Sequence, residues 1–223
     1  LSLIVPAIHP QEYQPVRTVS ALIIAAALSL CPGCSAGATE TELTQDLAFL
    51  YNSVSVFPPT SSRMTVCYGF VCRQRYVYDF DAQDRAALAK ILAGGKASAA
   101  AEREAVQNAV VWWDKHMGPI LGTDKRIARA DFRAPDSRVN FDCWDTTRNV
   151  TSLLIVMQDW GLLKYHTVDD PKYRGNAFVL QTPHNTPVLR ENDNGSKWVV
   201  DLWTVGYGQK PEVMPVDEWM SLD

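Results

Sequence analysis

A thiol, an imidazole and a carboxylate occur in this chain in the order that a cysteine-dependent acyl-transfer centre requires: Cys143, His184 and Asp201. Cys143 opens the run Asp142-Cys143-Trp144-Asp145-Thr146-Thr147-Arg148-Asn149, His184 stands in Pro183-His184-Asn185-Thr186, and Asp201 in Trp198-Val199-Val200-Asp201-Leu202-Trp203. In such a centre the sulfur attacks a carbonyl carbon, the imidazole takes the thiol proton and returns it to the leaving group, and the carboxylate fixes the imidazole tautomer. A sulfur in the first turn of a helix also lies at the positive end of the macrodipole, where unpaired N–H groups can hold an oxyanion. Dipole and base together are expected to lower the thiol pKa from ~8.5 to between about 3.5 and 7.5.

The elements that must position these groups follow from periodicity. After Cys143 the apolar positions Val150, Leu153, Leu154 and Met157 keep helical spacing, which predicts a helix ending at Gly161 with the thiol on its inward face. Asp142 or Asp145 caps that helix, and Thr147 and Asn149 fix side chains in its first two turns. Thr182 to Arg190 and Lys197 to Thr204 read as an antiparallel hairpin around Glu191-Asn192-Asp193-Asn194-Gly195-Ser196. A turn centred between Asn192 and Asp193 sets His184 opposite Asp201, and a turn at Asn194-Gly195 offsets them by four residues. The two registers differ by an even number, so imidazole and carboxylate share a sheet face in both.

Upstream the pattern is mostly helical. Glu40 to Val54 carries Leu43, Leu47, Leu50 and Val54 at helical spacing, and Met64 to Phe80 is β-branched and aromatic enough for a strand pair. Asp81 reads as the cap of a helix to about Leu92, stopped by Gly94-Gly95; Ser98 begins another to about Met117, stopped by Gly118-Pro119. Residues 124–138 form a charged loop. Two further histidines compete for notice. His166 is a rival base at an exposed strand start without a strand aspartate, and His116 reads as a charge near a helix C-terminus.

Export decides how the cysteines are read. Arg17 precedes the apolar stretch Val19 to Leu30, and Ser35-Ala36-Gly37-Ala38 offers a cleavage site, so residues 1–38 read as a signal peptide and 39–223 as a single domain. A lipid anchor at Cys34 is the alternative, making a periplasmic or secreted protein or an outer-membrane lipoprotein. The stretch of twelve apolar or small residues is too short to span a bilayer in the mature chain. In an oxidising compartment Cys67 and Cys72, separated by Tyr68-Gly69-Phe70-Val71, read as a local disulfide, with metal or redox roles as alternatives. Cys143 is left unpaired.

Composition narrows the partners. A chain of 223 residues that is 47 % hydrophobic can bury one core, and a formal charge of -4 without a Lys/Arg block argues against nucleic acid. The sequence carries no metal-ligand cluster, phosphate-cradling glycine loop or cofactor fingerprint, so no cofactor is expected.

The motifs Asp142-Cys143-x-Asp145-x-x-x-Asn149-x-Thr151, Gly161-Leu162-Leu163, Pro183-His184-Asn185-Thr186, Val200-Asp201-x-Trp203 and Pro211-Glu212-Val213-x-Pro215 resemble an uncharacterised group of exported proteobacterial proteins. Its core is similar to that of the bacterial transglutaminase-like (papain-like) cysteine proteinases, and its paired cysteines match Cys67 and Cys72. Trp144 stands where those proteinases often have an acidic or small residue. The resemblance implies an α+β fold with a transglutaminase-like or papain-like core, the nucleophile helix packed on an antiparallel sheet. It also implies a thiol hydrolase or acyltransferase acting on peptide or protein amides through Cys143, His184 and Asp201, with Asp142, Asp145, Asn149 and Trp203 in support. The alternative is a non-catalytic envelope protein that binds its ligand on the same scaffold.

Overall fold

Polar side chains that satisfy free backbone N–H groups fix where the four longer helices start. The computed structural model describes residues 41–131, 133–176, 178 and 181–222, all within the unit Gly37–Asp223; the expected signal or lipid attachment in 1–38 lies outside the described residues. Helix α1, Gln45–Asn52, is capped by Thr44, whose hydroxyl accepts from the Leu47 N–H at 3.1 Å. It begins later than the apolar spacing predicts because Thr41 turns its N–H and hydroxyl to Asp159, at 2.8 and 2.5 Å. Strands β1, Arg63–Tyr68, and β2, Gln74–Asp79, form the expected antiparallel pair, and Cys67 and Cys72 are joined in a disulfide. Helix α2, Ala82–Ala93, opens with a capping box between Asp81 and Asp84.

Helix α3, Ala99–Leu121, starts at the Ser98 cap but runs through Gly118-Pro119, where the sequence predicts a stop. The reason is tertiary. Pro119 has no N–H to give to the Lys115 carbonyl four residues back, and the Tyr207 hydroxyl donates to that carbonyl instead, at 3.3 Å. The same phenol ring covers Gly118, where a Cβ would lie 2.4 Å from it. The helix stops one turn later at Gly122, in the left-handed region with φ 68°.

Helix α4, Cys143–Asp159, begins at Asp142, whose carboxylate accepts from the Asp145 N–H at 2.7 Å. Gly161, with φ +68°, turns the chain away after it. Four antiparallel strands follow, β3 (His166–Arg174), β4 (His184–Glu191), β5 (Lys197–Asp201) and β6 (Glu212–Pro215), hydrogen-bonded in that order, and the short helix α5 (Val216–Met220) follows the last. The pairing of β3 with β4 shifts register between Asp169 and Lys172. Among the described residues the architecture is therefore α+β, with five helices and two antiparallel sheets.

The four-stranded sheet is covered on both faces. Leu189 and Val200 join Val150, Leu153, Leu154 and Met157 of α4 in the main core, which also takes in α2, α3 and β1. On the other face Val188 and Val199 pack under Val216 and Trp219. A third cluster sets Leu50, Tyr51 and Val56 against the disulfide. Among the described residues no helix is long and apolar enough to cross a membrane.

Gly175 sets how the chain passes from β3 towards β4. It has φ +79°, and a Cβ there would stand 2.1 Å from the Thr182 carbonyl oxygen, while the preceding Arg174 is paired with His184. Replacing Gly175 with Ala is expected to lower stability by ~1–3 kcal/mol, because both the left-handed backbone and a backbone contact are violated. Urea denaturation checks this, and an unchanged midpoint would show that the connection yields freely.

Candidate functional site

The first two turns of α4 are polar and almost entirely buried, so their side chains must find partners elsewhere in the fold. Asn149 pairs with the main chain of Cys67 as a strand would, accepting its N–H and donating to its carbonyl, both at 2.8 Å. Asp142 accepts the Val71 N–H and Asp145 the Cys72 N–H, each at 2.7 Å. Arg148 donates to the Leu50 carbonyl at 2.7 Å and to the Ser53 hydroxyl at 3.1 Å, which ties the end of α1 to the same turns.

The loop that receives the two carboxylates is unusual in its backbone. Gly69, Phe70, Val71 and Cys72 are consecutive left-handed residues, with φ of 73°, 60°, 51° and 54°. For the three that are not glycine this conformation costs roughly 1–2 kcal/mol each. The disulfide and the two N–H-to-carboxylate bonds hold it, since successive N–H groups in such a turn converge on an anion. Cys67, Cys72 and Asp145 place their donor atoms within 4.8 Å of one another, but the sulfurs are bonded to each other and leave no thiolate for a metal.

Asp145 carries a consequence of this crowding. Burial and the neighbouring Asp142 charge push its carboxyl up to about 7, against the pull of the Cys72 N–H and Arg148.

Cys143 is half-buried at the helix start, next to Asn185 of β4. The Asn185 amide satisfies most partners with its nitrogen towards the Thr147 hydroxyl, 2.6 Å, and the Cys143 carbonyl, 2.9 Å, and its oxygen accepting from the Trp144 indole at 3.3 Å. In that orientation the amide atom 3.4 Å from the sulfur is the oxygen, an acceptor for the thiol proton. Burial pushes the Cys143 thiol up to about 11; the main-chain N–H groups of Asn185 and of Cys143 itself pull it down, and the Asp142 and Asp201 charges push it further up. The sequence expectation was the reverse, a lowered thiol. Desolvation outweighs the helix end here.

His184 and Asp201 are joined by a bond of 2.6 Å between Nε2 and Oδ2, and both side chains are buried. The observed register pairs Val188 with Val199 and falls between the two that the turn sequence offers, leaving His184 two positions from the residue opposite Asp201. The Trp219 indole donates to Asp201 Oδ2 at 3.0 Å and the Trp203 N–H to Oδ1 at 3.2 Å. The Trp203 and Trp219 rings stand 4.5 and 5.4 Å from the imidazole, and the Trp203 indole donates to the Phe141 carbonyl just before α4. These contacts tie the pair to α5 and to the approach of the cysteine helix.

Alternation along β4 then separates two neighbours. Asn185 turns to Thr147 of α4, whereas His184 turns to Trp219 of α5. Nδ1 of His184 is buried without a partner, and among the described residues no hydrogen bond joins it to the Cys143 sulfur. A pocket of about 280 Å³ lies beside the imidazole, lined by His184, Trp203, Thr204, Gly175, Arg129 and Arg174 among others.

His166 differs from its expected exposed position. It is buried at the start of β3, its Nδ1 2.9 Å from Glu102 Oε1 and its Nε2 3.2 Å from the Arg103 guanidinium. Glu102 also accepts the N–H groups of Lys164, Tyr165 and His166, at 2.6, 2.9 and 3.0 Å, so the histidine belongs to a structural knot between α3 and β3. His116 packs on Trp112 with ring centres 5.0 Å apart and meets the Tyr78 hydroxyl at 2.7 Å. Arg129 and Thr204 escaped the sequence reading, because no motif marks a residue that only the folded loops bring to His184.

Comparison of the chain with protein-family models, with curated proteins and with solved structures gives no match.

Two expectations follow. The folded state keeps on Asp145 a proton that the unfolded chain releases near 3.8, so stability is full below that pH, falls as pH rises, and the loss is complete above about 7. Asp145→Asn retains the acceptor for Cys72 and should flatten this decline in melting temperature between pH 4 and 8. Alkylation of Cys143 by iodoacetamide in the folded chain should rise with pH through 9, since the thiol titrates near 11. A rate plateau below pH 7 would instead reveal a preformed thiolate.

Proposed function

We propose that this chain is an exported thiol hydrolase or acyltransferase acting on amide or thioester carbonyls, with Cys143 as nucleophile, His184 as base and Asp201 as its orienter. The observation that carries the reading is the buried His184–Asp201 pair under two tryptophans, bonded through Nε2 and leaving Nδ1 unmet, one residue away from the side chain that contacts the sulfur. A pair built in this way holds one tautomer and keeps the other nitrogen ready for a proton. The fold class agrees with a nucleophile helix packed on an antiparallel sheet. The disulfide supports export to the periplasm or beyond, where such bonds persist.

In the proposed reaction the Cys143 sulfur bonds to the carbonyl carbon as its proton passes to His184 Nδ1. The C–N or C–S bond then breaks and the leaving amine or thiol takes that proton. Water completes hydrolysis to the carboxylic acid, and an amine completes transfer. In this reading the Cys143 N–H, at the first position of α4, turns from the sulfur to the oxyanion as the bond forms. With the thiol protonated at neutral pH, deprotonation accompanies attack, and substrate binding must bring sulfur and Nδ1 into hydrogen-bond reach.

A non-catalytic binding protein is the second reading, favoured by the raised thiol and by the missing sulfur–imidazole bond. A panel of N-acetyl-aminoacyl thioesters separates the two. The enzyme reading expects thiol release with a hydroxylamine-sensitive acyl mass on Cys143, absent in Cys143→Ala, and lowered about 100-fold or more in His184→Ala. Thioester turnover that is the same in Cys143→Ala as in the unmodified sequence overturns it.

A further inference from the structure

We propose that the pocket beside His184 is a subsite for a carboxylate, held by Arg129 and Thr204, on the part of the substrate next to the reacting carbonyl. The position relative to that carbonyl rests on the thiol acyl-transfer reading; the binding of a carboxylate does not. Three polar groups around this one pocket lack partners. His184 Nδ1 and the Thr204 hydroxyl are both buried and without a hydrogen bond. The Arg129 guanidinium, on the same wall, has no hydrogen-bond, ion-pair or ring partner among the described residues. Buried polar atoms are overwhelmingly satisfied in folded proteins, so the unmet Thr204 hydroxyl beside the Arg129 guanidinium makes a donor pair that waits for an acceptor, while His184 Nδ1, an acceptor in the tautomer that Asp201 fixes, waits for a donor.

The neighbouring arginines sharpen the contrast. Arg126 is committed to Asp114 at 3.0 Å and to the Val205 carbonyl at 2.8 Å. Arg174 lines the pocket too, but donates to the Trp219 carbonyl at 2.8 Å and lies 4.4 Å over the Trp219 ring, which makes it part of the wall. Arg129 is held differently. Its backbone is left-handed, φ 52°, although it is not glycine, and its N–H donates at 2.8 Å to the carbonyl of Trp203, the residue whose ring is tilted against His184. Strain of this kind persists where the surroundings fix it and is concentrated at functional sites. The pin sets the root of the guanidinium at a fixed place relative to the imidazole.

The ligand chemistry follows from these groups. A planar fork of N–H donors matches the two oxygens of a carboxylate, and the Thr204 hydroxyl offers a further donor. A volume of about 280 Å³ is just below the range of pockets that enclose a whole small molecule, so a side group fits it better than an entire substrate. The carboxylate belongs to an acidic side chain or to a chain terminus.

Three probes separate these sources by titration of the full chain, followed by tryptophan fluorescence: N-acetyl-glutamate α-amide, with a side-chain carboxylate only; N-acetyl-glutamine, with an α-carboxylate only; and N-acetyl-glutamine α-amide, with neither. One of the carboxylates is expected to bind at least tenfold more tightly than the neutral probe, and which one does identifies the source. Arg129→Gln should remove the difference, Arg129→Lys should keep part of it, and Thr204→Val should reduce it. Equal binding of all three probes, or a preference that survives Arg129→Gln, overturns the proposal. Failure of every thioester to acylate Cys143 overturns the enzyme reading while carboxylate binding stands; acylation with equal binding of the probes overturns the subsite alone.

Discussion

A helix whose first two turns are polar and yet buried is stable only if other elements bring it backbone partners. Here they do, and the arrangement of the whole domain follows from that demand. Asn149 takes the place of a missing strand beside Cys67, Asp142 and Asp145 gather the N–H groups of the left-handed loop, Thr147 meets Asn185, and Arg148 closes the end of α1. Removing Asn149 or Asp145 leaves the buried main chain of Cys67 or the buried Cys72 N–H unmet, at roughly 1–3 kcal/mol. Cys143 and Trp144 are the two residues of these turns that retain some exposure. The sulfur is thus held at the one opening in a ring of satisfied hydrogen bonds.

The sheet shows a second layer of the same logic. Its inner face supplies Leu189 and Val200 to the core beneath α4, and its outer face carries His184 and Asp201, closed over by Trp219. A buried imidazole and carboxylate are tolerable because each finds donors or acceptors at short range, and the indole contributes both a cover and an N–H. The groups on the two faces come close at the start of β4, where His184 and Asn185 are consecutive residues directed to α5 and to α4.

Much of this was legible in the residues. The caps at Asp81, Ser98 and Asp142, the inward stripe of α4, the shared face of His184 and Asp201 and the short disulfide are local or period-based signals, and those patterns are what a sequence displays directly. What stayed hidden depends on partners distant in the chain. Nothing near Pro119 announces that Tyr207 will stand in for its missing N–H, and nothing near His166 announces Glu102. The thiol was misjudged for a related reason: a helix start is visible in sequence, whereas the depth at which it is buried is not. Arg129 illustrates the limit most clearly, since a left-handed arginine in a charged loop gives no signal of the tryptophan carbonyl that fixes it.

The outer strands of the sheet bear on how this domain behaves among its copies. An exposed, regular strand edge is a template on which another chain can add by backbone pairing, the first step towards aggregation. β3 is interrupted by Pro171 within its register shift, and β6 is four residues long and ends in Pro215. Proline has no N–H to offer an incoming strand and the shift breaks the regular spacing, so neither border presents an unbroken ladder. The sheet is closed to further growth by its own backbone chemistry.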